Sequence, residues 1–143
     1  MEGCIFCEII KGTIPSSIVF EDELCVAIMD IKPVNKGHVL IIPKEHKQFV
    51  SEYSDETASR VFCIANKINT AIRKTTIRCE GINYFLADGE IAFQEVFHCH
   101  LHCFPRYRND GFKLKFSEEY YSKKSERNDL NEIAIEIKSN LRF

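Results

Sequence analysis

Residues 97–106 read Phe-His-Cys-His-Leu-His-Cys-Phe-Pro-Arg, with three histidines at alternate positions in an apolar run. Successive side chains of a β-strand point to opposite faces. The spacing therefore predicts a strand with His98, His100 and His102 on one face and Cys99, Leu101 and Cys103 on the other. Three imidazoles are poor core material, because each buried ring needs partners for both nitrogens. The chain has only five histidines, and the remaining two, His38 and His46, flank the second strongly apolar run, Val39-Leu40-Ile41-Ile42. That concentration makes the histidine strand the centre of any function.

The elements around this strand follow from local pattern. Ile18-Val19-Phe20, residues 24–28, residues 38–42 and residues 82–86 are short apolar or β-branched runs bounded by turn residues, and each predicts a strand. Between the third and fourth, Val61, Ile64, Ala65, Ile68 and Ile72 recur at helical spacing and predict a long helix over 55–74. Ser54 can cap its start, and Asp55 and Glu56 suit its positive end. Residues 4–11 predict one or two helical turns stopped by Gly12. Leu130, Ile133, Ala134, Ile137 and Leu141 form one apolar stripe and predict a C-terminal helix over about 126–141. Strands are grouped instead of alternating with helices. The expected fold is therefore α+β, a mainly antiparallel five-stranded sheet with a long central helix and a C-terminal helix, in a single domain over 1–143.

A chain of 143 residues is enough for one such core. A net charge of -2 gives no reason to expect a nucleic-acid or membrane-surface partner, and no apolar run approaches the roughly 20 residues that span a bilayer. The start, Met-Glu-Gly-Cys, lacks the basic and apolar regions of a secretory signal. Seven cysteines are many, but the number is odd. Cys99 and Cys103, four apart on one strand, would lie roughly 13 Å from each other, too far for a disulfide. The cysteines read as thiols or metal ligands in a reducing compartment, so a cytoplasmic protein is expected.

Two clusters carry chemistry. A neutral imidazole has one free nucleophilic nitrogen while the other is fixed by a hydrogen bond. Neighbours on the same strand face can then hold or protonate a substrate attached to the central ring. This suits displacement at phosphorus through a covalent histidine adduct. Alternate histidines are also good zinc or copper ligands, so a triad-centred metal is the rival reading. The second cluster, Cys4-Ile5-Phe6-Cys7, can be a redox pair, half a zinc site, or two unliganded thiols. A zinc site would need two more ligands, with His46 and one histidine of the strand as natural candidates.

Taken in order, Cys4 to Ile10, Val26 to Ile31, Gly37 to His46, Gly89 to Gln94 and the histidine strand closely resemble the histidine triad (HIT) superfamily. The resemblance runs from Cys4 to about Arg106. It implies a small α+β fold, usually a two-fold dimer, that binds a purine nucleotide or nucleotide conjugate and cleaves at the α-phosphorus. In that pattern His100 is the nucleophile, His102 contacts the phosphate and assists the leaving group, and His38 supports the triad by hydrogen bonding. Gln94 borders the bridging phosphate or leaving group. Asp30 accepts hydrogen bonds from the ribose, and Phe6, Ile9, Ile28 and Ile31 form an apolar slot for the base. Members with the N-terminal cysteine pair hold a structural zinc. Here its ligands would be Cys4, Cys7, His46 and His98, which would remove His98 from catalysis.

Three positions depart from the pattern. Phe93 stands where a glycine usually precedes the glutamine, Glu95 where a serine or threonine often follows it, and Ala87 where an asparagine is often found. A phenylalanine there crowds a close backbone approach, and a carboxylate repels phosphate. The expected consequence is altered specificity or weakened catalysis, unless Glu95 turns outward and only its amide is used, or a cation such as Arg106 compensates. Residues 107–125, with Phe112, Phe116, Tyr120 and Tyr121, read as substrate mouth, dimer contact or solvated loop.

Overall fold

The computed structural model describes residues 3–142, which form two compact units, one ending at Gly111 and one starting at Phe112. The first contains α1 (Ile5–Ile10), β1 (Ile18–Glu21), β2 (Cys25–Met29), β3 (Val39–Pro43), α2 (Asp55–Ile72), β4 (Gly81–Leu86) and β5 (Leu101–Arg106). The five strands make one sheet in the order β1-β2-β3-β5-β4, and every neighbouring pair is antiparallel. The expected α+β architecture is the one observed.

Period two divides the sheet into two chemically different faces. Cys25 and Ala27 of β2, Val39 and Ile41 of β3, and Leu101 and Cys103 of β5 pack against Val61, Ile64, Ala65, Ile68 and Ile72 of α2. The intervening residues Val26, Ile28, Leu40 and Ile42 face the other way and pack with Phe6 of α1. β2 and β3 are apolar at nearly every position because both faces are covered. α2 takes one face with the stripe read from sequence, and its Ser54 side chain accepts the Thr57 amide as an N-cap. The helix stops at Ile72, two residues before the expected end, where Arg73 and Lys74 continue only in turns.

The histidine strand begins later than the alternation predicts. β5 starts at Leu101, and His98 to His100 approach it as irregular chain. Before Leu101 the backbone bonds elsewhere: the Cys99 amide donates to the Lys47 carbonyl and the His98 amide to Val96. The facing is nevertheless the predicted one. Leu101 and Cys103 join the α2 cluster, whereas His98 and His100 pack on Phe6 on the opposite face. His102 sits across from Leu40 of β3 and Phe85 of β4, on that same face.

One glycine is required for this arrangement. Gly37 has φ +97°, and a Cβ there would lie 3.1 Å from Pro105 and 3.2 Å from Ile77. The close approach of the 30–37 loop to β5 sets the start of β3 and delivers His38 to the site.

The second unit holds α3 (Glu118–Ser122) and α4 (Arg127–Asn140). Phe116 and Tyr120 stack at 4.3 Å, with Tyr121 edge-on to both, so the aromatics of this stretch pack on one another. The stripe on α4 exists as read, except that Leu141 falls just past the helix end, yet no residue of that helix is buried: Leu130, Ile133 and Ile137 are exposed, as is Leu141.

Candidate functional site

The face of the sheet opposite α2 carries two adjoining groups of polar side chains. In the first, the donor atoms of Cys4, Cys7, His46 and His98 all lie within 4.8 Å of one another. Cys4 Sγ is 3.5 Å from His98 Nδ1, and Cys7 Sγ is 3.2 Å from His46 Nδ1 and 3.7 Å from His98 Nδ1. A tetrahedral zinc with Zn–S near 2.3 Å and Zn–N near 2.05 Å separates sulfur from nitrogen by about 3.6 Å. The four residues therefore fit such an ion without rearrangement. His98 is fully buried, and its Nε2–H donates to the Pro43 carbonyl at 2.8 Å, which leaves Nδ1 bare and turned to the sulfurs. Burial, followed by the hydrogen bond and charge of Cys4, pushes the Cys7 thiol up, a balance that a dication would reverse. Spacing alone left open which strand histidine joins the cysteines, the family resemblance implied His98, and the folded chain places the His98 ring against both of them. All seven cysteines are free thiols.

The second group is the remaining histidines, and its hydrogen bonds assign each proton. His100 Nδ1 lies 2.7 Å from the His98 carbonyl, which can only accept, so the ring donates from Nδ1 and keeps its lone pair on Nε2. The Val34 amide donates to His38 Nδ1 at 3.1 Å. The proton of His38 is therefore on Nε2, which donates to His102 Nδ1 at 2.9 Å. His102 must in turn carry its proton on Nε2. One bare Nε2 and one Nε2–H thus stand on neighbouring rings whose centroids are 4.8 Å apart.

Asp30 Oδ2 is 3.5 Å from His38 Nδ1 and 3.9 Å from His102 Nδ1, while its Oδ1 accepts the Lys32 amide. Asp30, His38 and His102 also form a close donor group, but the His–His contact within it is a hydrogen bond with both ends assigned. Burial lowers the pKa of His38, His98 and His100 and holds His102 at about 4, with the charges of His100 and His38 acting in the same direction on His102. Each of these shifts favours the neutral ring.

Of the apolar positions read as a base slot, Phe6 and Ile28 are buried together and Ile9 packs against them. Phe6 lies edge-on to His100 at 4.9 Å. Ile31 stands apart, 94% exposed. The Gln94 side chain is buried and clamps its own loop, accepting the Gly89 amide and donating to the Gln48 carbonyl, each at 2.9 Å. Phe93 takes the left-handed conformation that glycine favours, with φ 71° and ψ 28°, and its ring is 80% exposed. Glu95, which follows Gln94, points outward and is exposed. Arg106 does not supply the compensating charge considered above: its guanidinium grips the Asp110 carboxylate with two nitrogens and reaches Asn83 with the third.

Sequence reasoning missed the three backbone groups that decide the tautomers, the Val34 amide and the carbonyls of Pro43 and His98. Backbone partners leave no trace in residue type. It also missed Phe104, 5.0 Å from the His38 ring, whose place in the quoted strand was the available signal.

The HIT domain family matches residues 11–109. The chain is similar to a crystal structure of a HIT family member from Bacillus subtilis, with TM-score 0.87 and 43% identity over 99% of each chain. It is also similar to a zinc-bound histidine triad family protein from Mycobacterium smegmatis, with TM-score 0.74 and 35% identity over 81% of this chain and 84% of that one. Among curated relatives, the adenosine 5'-monophosphoramidase hnt1 of Schizosaccharomyces pombe is 40% identical over 104 residues, covering 73% of this chain and 74% of that protein.

Proposed function

This chain belongs to the HIT family, and from that premise we propose that it is a nucleotide hydrolase or transferase acting at the α-phosphorus of AMP-like substrates through a nucleotidyl-histidine intermediate. One observation carries the reading. The His98 carbonyl holds the Nδ1–H of His100, so the neutral ring presents a lone pair on Nε2. That nitrogen forms the new bond to phosphorus as the bond to the departing group breaks, and water then releases the nucleotide. His102 donates its Nε2–H to a phosphate oxygen, and His38 keeps it in that tautomer. Asp30 receives the ribose hydroxyls, and Phe6, Ile9, Ile28 and Ile31 take the base. Gln94 holds the loop that borders the departing group. The relative named as an adenosine 5'-monophosphoramidase supports an AMP-like substrate, a phosphoramidate or a dinucleoside polyphosphate.

Cys4, Cys7, His46 and His98 would hold a structural zinc, whose chemistry is to tie four ligands into a closed site with no open position. The same ligands knot α1 to the end of β3, which keeps Phe6 on His100. The remaining parts of the proposal are a homodimer in the cytoplasm, with residues 1–143 forming a single HIT domain and neither nucleic acid nor membrane as partner. The exposed stripe of α4 supports self-association, and among the described residues no helix is long and apolar enough to cross a membrane. A second reading, a nucleotide-binding module with little catalysis, draws on Phe93 and Glu95 beside Gln94.

The test is adenosine 5'-phosphoramidate labelled in the adenosine, given to the wild-type and His100→Ala proteins. The wild type turns over and yields an acid-labile labelled adduct, and the variant does neither. Hydrolysis unchanged in His100→Ala would refute the mechanism. Micromolar AMP binding with no hydrolysis by the wild type would favour the second reading.

A further inference from the structure

The loop after β3 carries His46, and one buried side chain grips its backbone. The Tyr53 hydroxyl accepts the Lys47 amide at 3.2 Å and donates to the Glu45 carbonyl at 2.9 Å, with the Lys47 carbonyl also 3.2 Å away. These backbone groups lie on both sides of His46, whose Nδ1 is 3.2 Å from Cys7 Sγ. Tyr53 immediately precedes Ser54, the cap of α2, so the start of the long helix fixes where its ring stands. The Lys47 carbonyl also accepts the Cys99 amide at 2.8 Å. That amide and the His98 carbonyl belong to one trans peptide, so they point in opposite directions from a single rigid plane. Lys47 holds one edge of the plane, and the other edge takes the Nδ1–H of His100 at 2.7 Å.

We propose that Tyr53 is a positioning residue whose one hydroxyl fixes both the His46 ligand and the tautomer of His100. The inference deepens the zinc and catalytic readings above and rests on them for its consequence. Without the hydroxyl, the Lys47 amide and the Glu45 carbonyl lose their partner in a partly buried loop. The loop relaxes, His46 shifts relative to Cys7, and the Lys47 carbonyl no longer holds the 98–99 peptide at one angle. A tilted peptide carries the His98 carbonyl away from His100 Nδ1. The neutral ring then moves its proton to Nε2, and the lone pair that the proposed displacement needs is lost. Tyr53 touches neither ring, so it acts through backbone alone, and the phenylalanine variant keeps its packing while removing that action.

The experiment compares the zinc-loaded wild type with Tyr53→Phe and with Val61→Ala, which opens a cavity in the α2 core and lowers stability away from the loop. The measurements are zinc release to a chelator, the His100 tautomer from its ring nitrogen NMR shifts, and kcat and KM for adenosine 5'-phosphoramidate. Tyr53→Phe releases zinc roughly tenfold faster or more, the size typical of losing support behind a metal ligand. Its Nε2–H tautomer of His100 gains about tenfold over Nδ1–H, the worth of one ordinary hydrogen bond. Its kcat falls by about tenfold while KM stays within about twofold, because the reacting lone pair is lost and the binding contacts are kept. Val61→Ala melts lower and leaves all of these at wild-type values. Wild-type zinc release and a wild-type tautomer in Tyr53→Phe overturn the role of Tyr53, whatever its melting temperature. The same changes in Val61→Ala overturn it as well, by assigning them to lost stability. The tautomer is read without substrate, so a wild type that turns nothing over refutes the catalytic reading, and Tyr53 is still judged by the ring.

Discussion

Replacing Cys7 by serine tests how the N-terminal segment serves the fold. Cys7 is the ligand that touches both histidines, at 3.2 Å from His46 and 3.7 Å from His98, whereas Cys4 touches only His98. Serine is close to cysteine in size and leaves little cavity, so the effect measures lost metal and not lost packing. A ligand that binds only the folded state stabilises it by about 2.7 kcal/mol when present at one hundred times its dissociation constant. For a domain of this length that corresponds to about 10 °C in melting temperature. The assay is zinc stoichiometry by elemental analysis together with melting curves, with and without chelator. The wild type carries one zinc and loses about 10 °C on chelation. The Cys7→Ser protein carries almost none, melts about 10 °C lower and no longer responds to chelator. Turnover of Cys7→Ser falls as well, because His98 supplies the carbonyl that orients His100. A variant that keeps one equivalent of zinc, or a wild type whose melting ignores the chelator, refutes the four-ligand site.

Two further outcomes follow from the geometry. Phe93→Gly relieves a left-handed φ of 71° at a side chain that buries almost nothing, so it stabilises the protein. The strain is about 1–2 kcal/mol, partly offset by the extra freedom of glycine in the unfolded chain, for a net gain of roughly 0.5–1 kcal/mol in urea unfolding; a loss of stability would show that the ring has a partner. The pKa of His102 is lowered to about 4 on folding, so its neutral form contributes stability that is fully present above pH 6.5 and is lost as pH falls toward 4. The advantage of wild type over His102→Gln in urea unfolding therefore shrinks by about 2–3 kcal/mol between pH 7.5 and pH 4.5, with zinc effects common to both proteins, and a constant difference would contradict a buried, neutral ring.

Much of this molecule is legible in its local patterns. The period of 3.6 at Val61, Ile64, Ala65, Ile68 and Ile72 marks α2, and it does so because only one stripe of that helix meets the sheet. Alternation at 98–103 separates histidines from core, and that facing survives although β5 begins only at Leu101. The pattern cannot reveal where pairing starts, because strand pairing depends on where β3 ends and on the Lys47 carbonyl that takes the Cys99 amide. The stripe on α4 is equally plain in sequence, yet amphipathicity does not name the surface that covers it.

Residue type and spacing alone determined the α+β class, the faces of the histidine strand and the inventory of metal-binding and nucleophilic side chains. Tertiary structure decided how those side chains divide the work. His98 meets Cys4 and Cys7 across more than ninety residues of chain, and its ring is turned to them by the carbonyl of Pro43. His38 and His102 are wired through the Val34 amide, and His100 through the carbonyl of His98. An imidazole has two nitrogens and, when neutral, one proton. Which nitrogen carries it is set by the backbone group it meets, and only the folded chain brings that group to it.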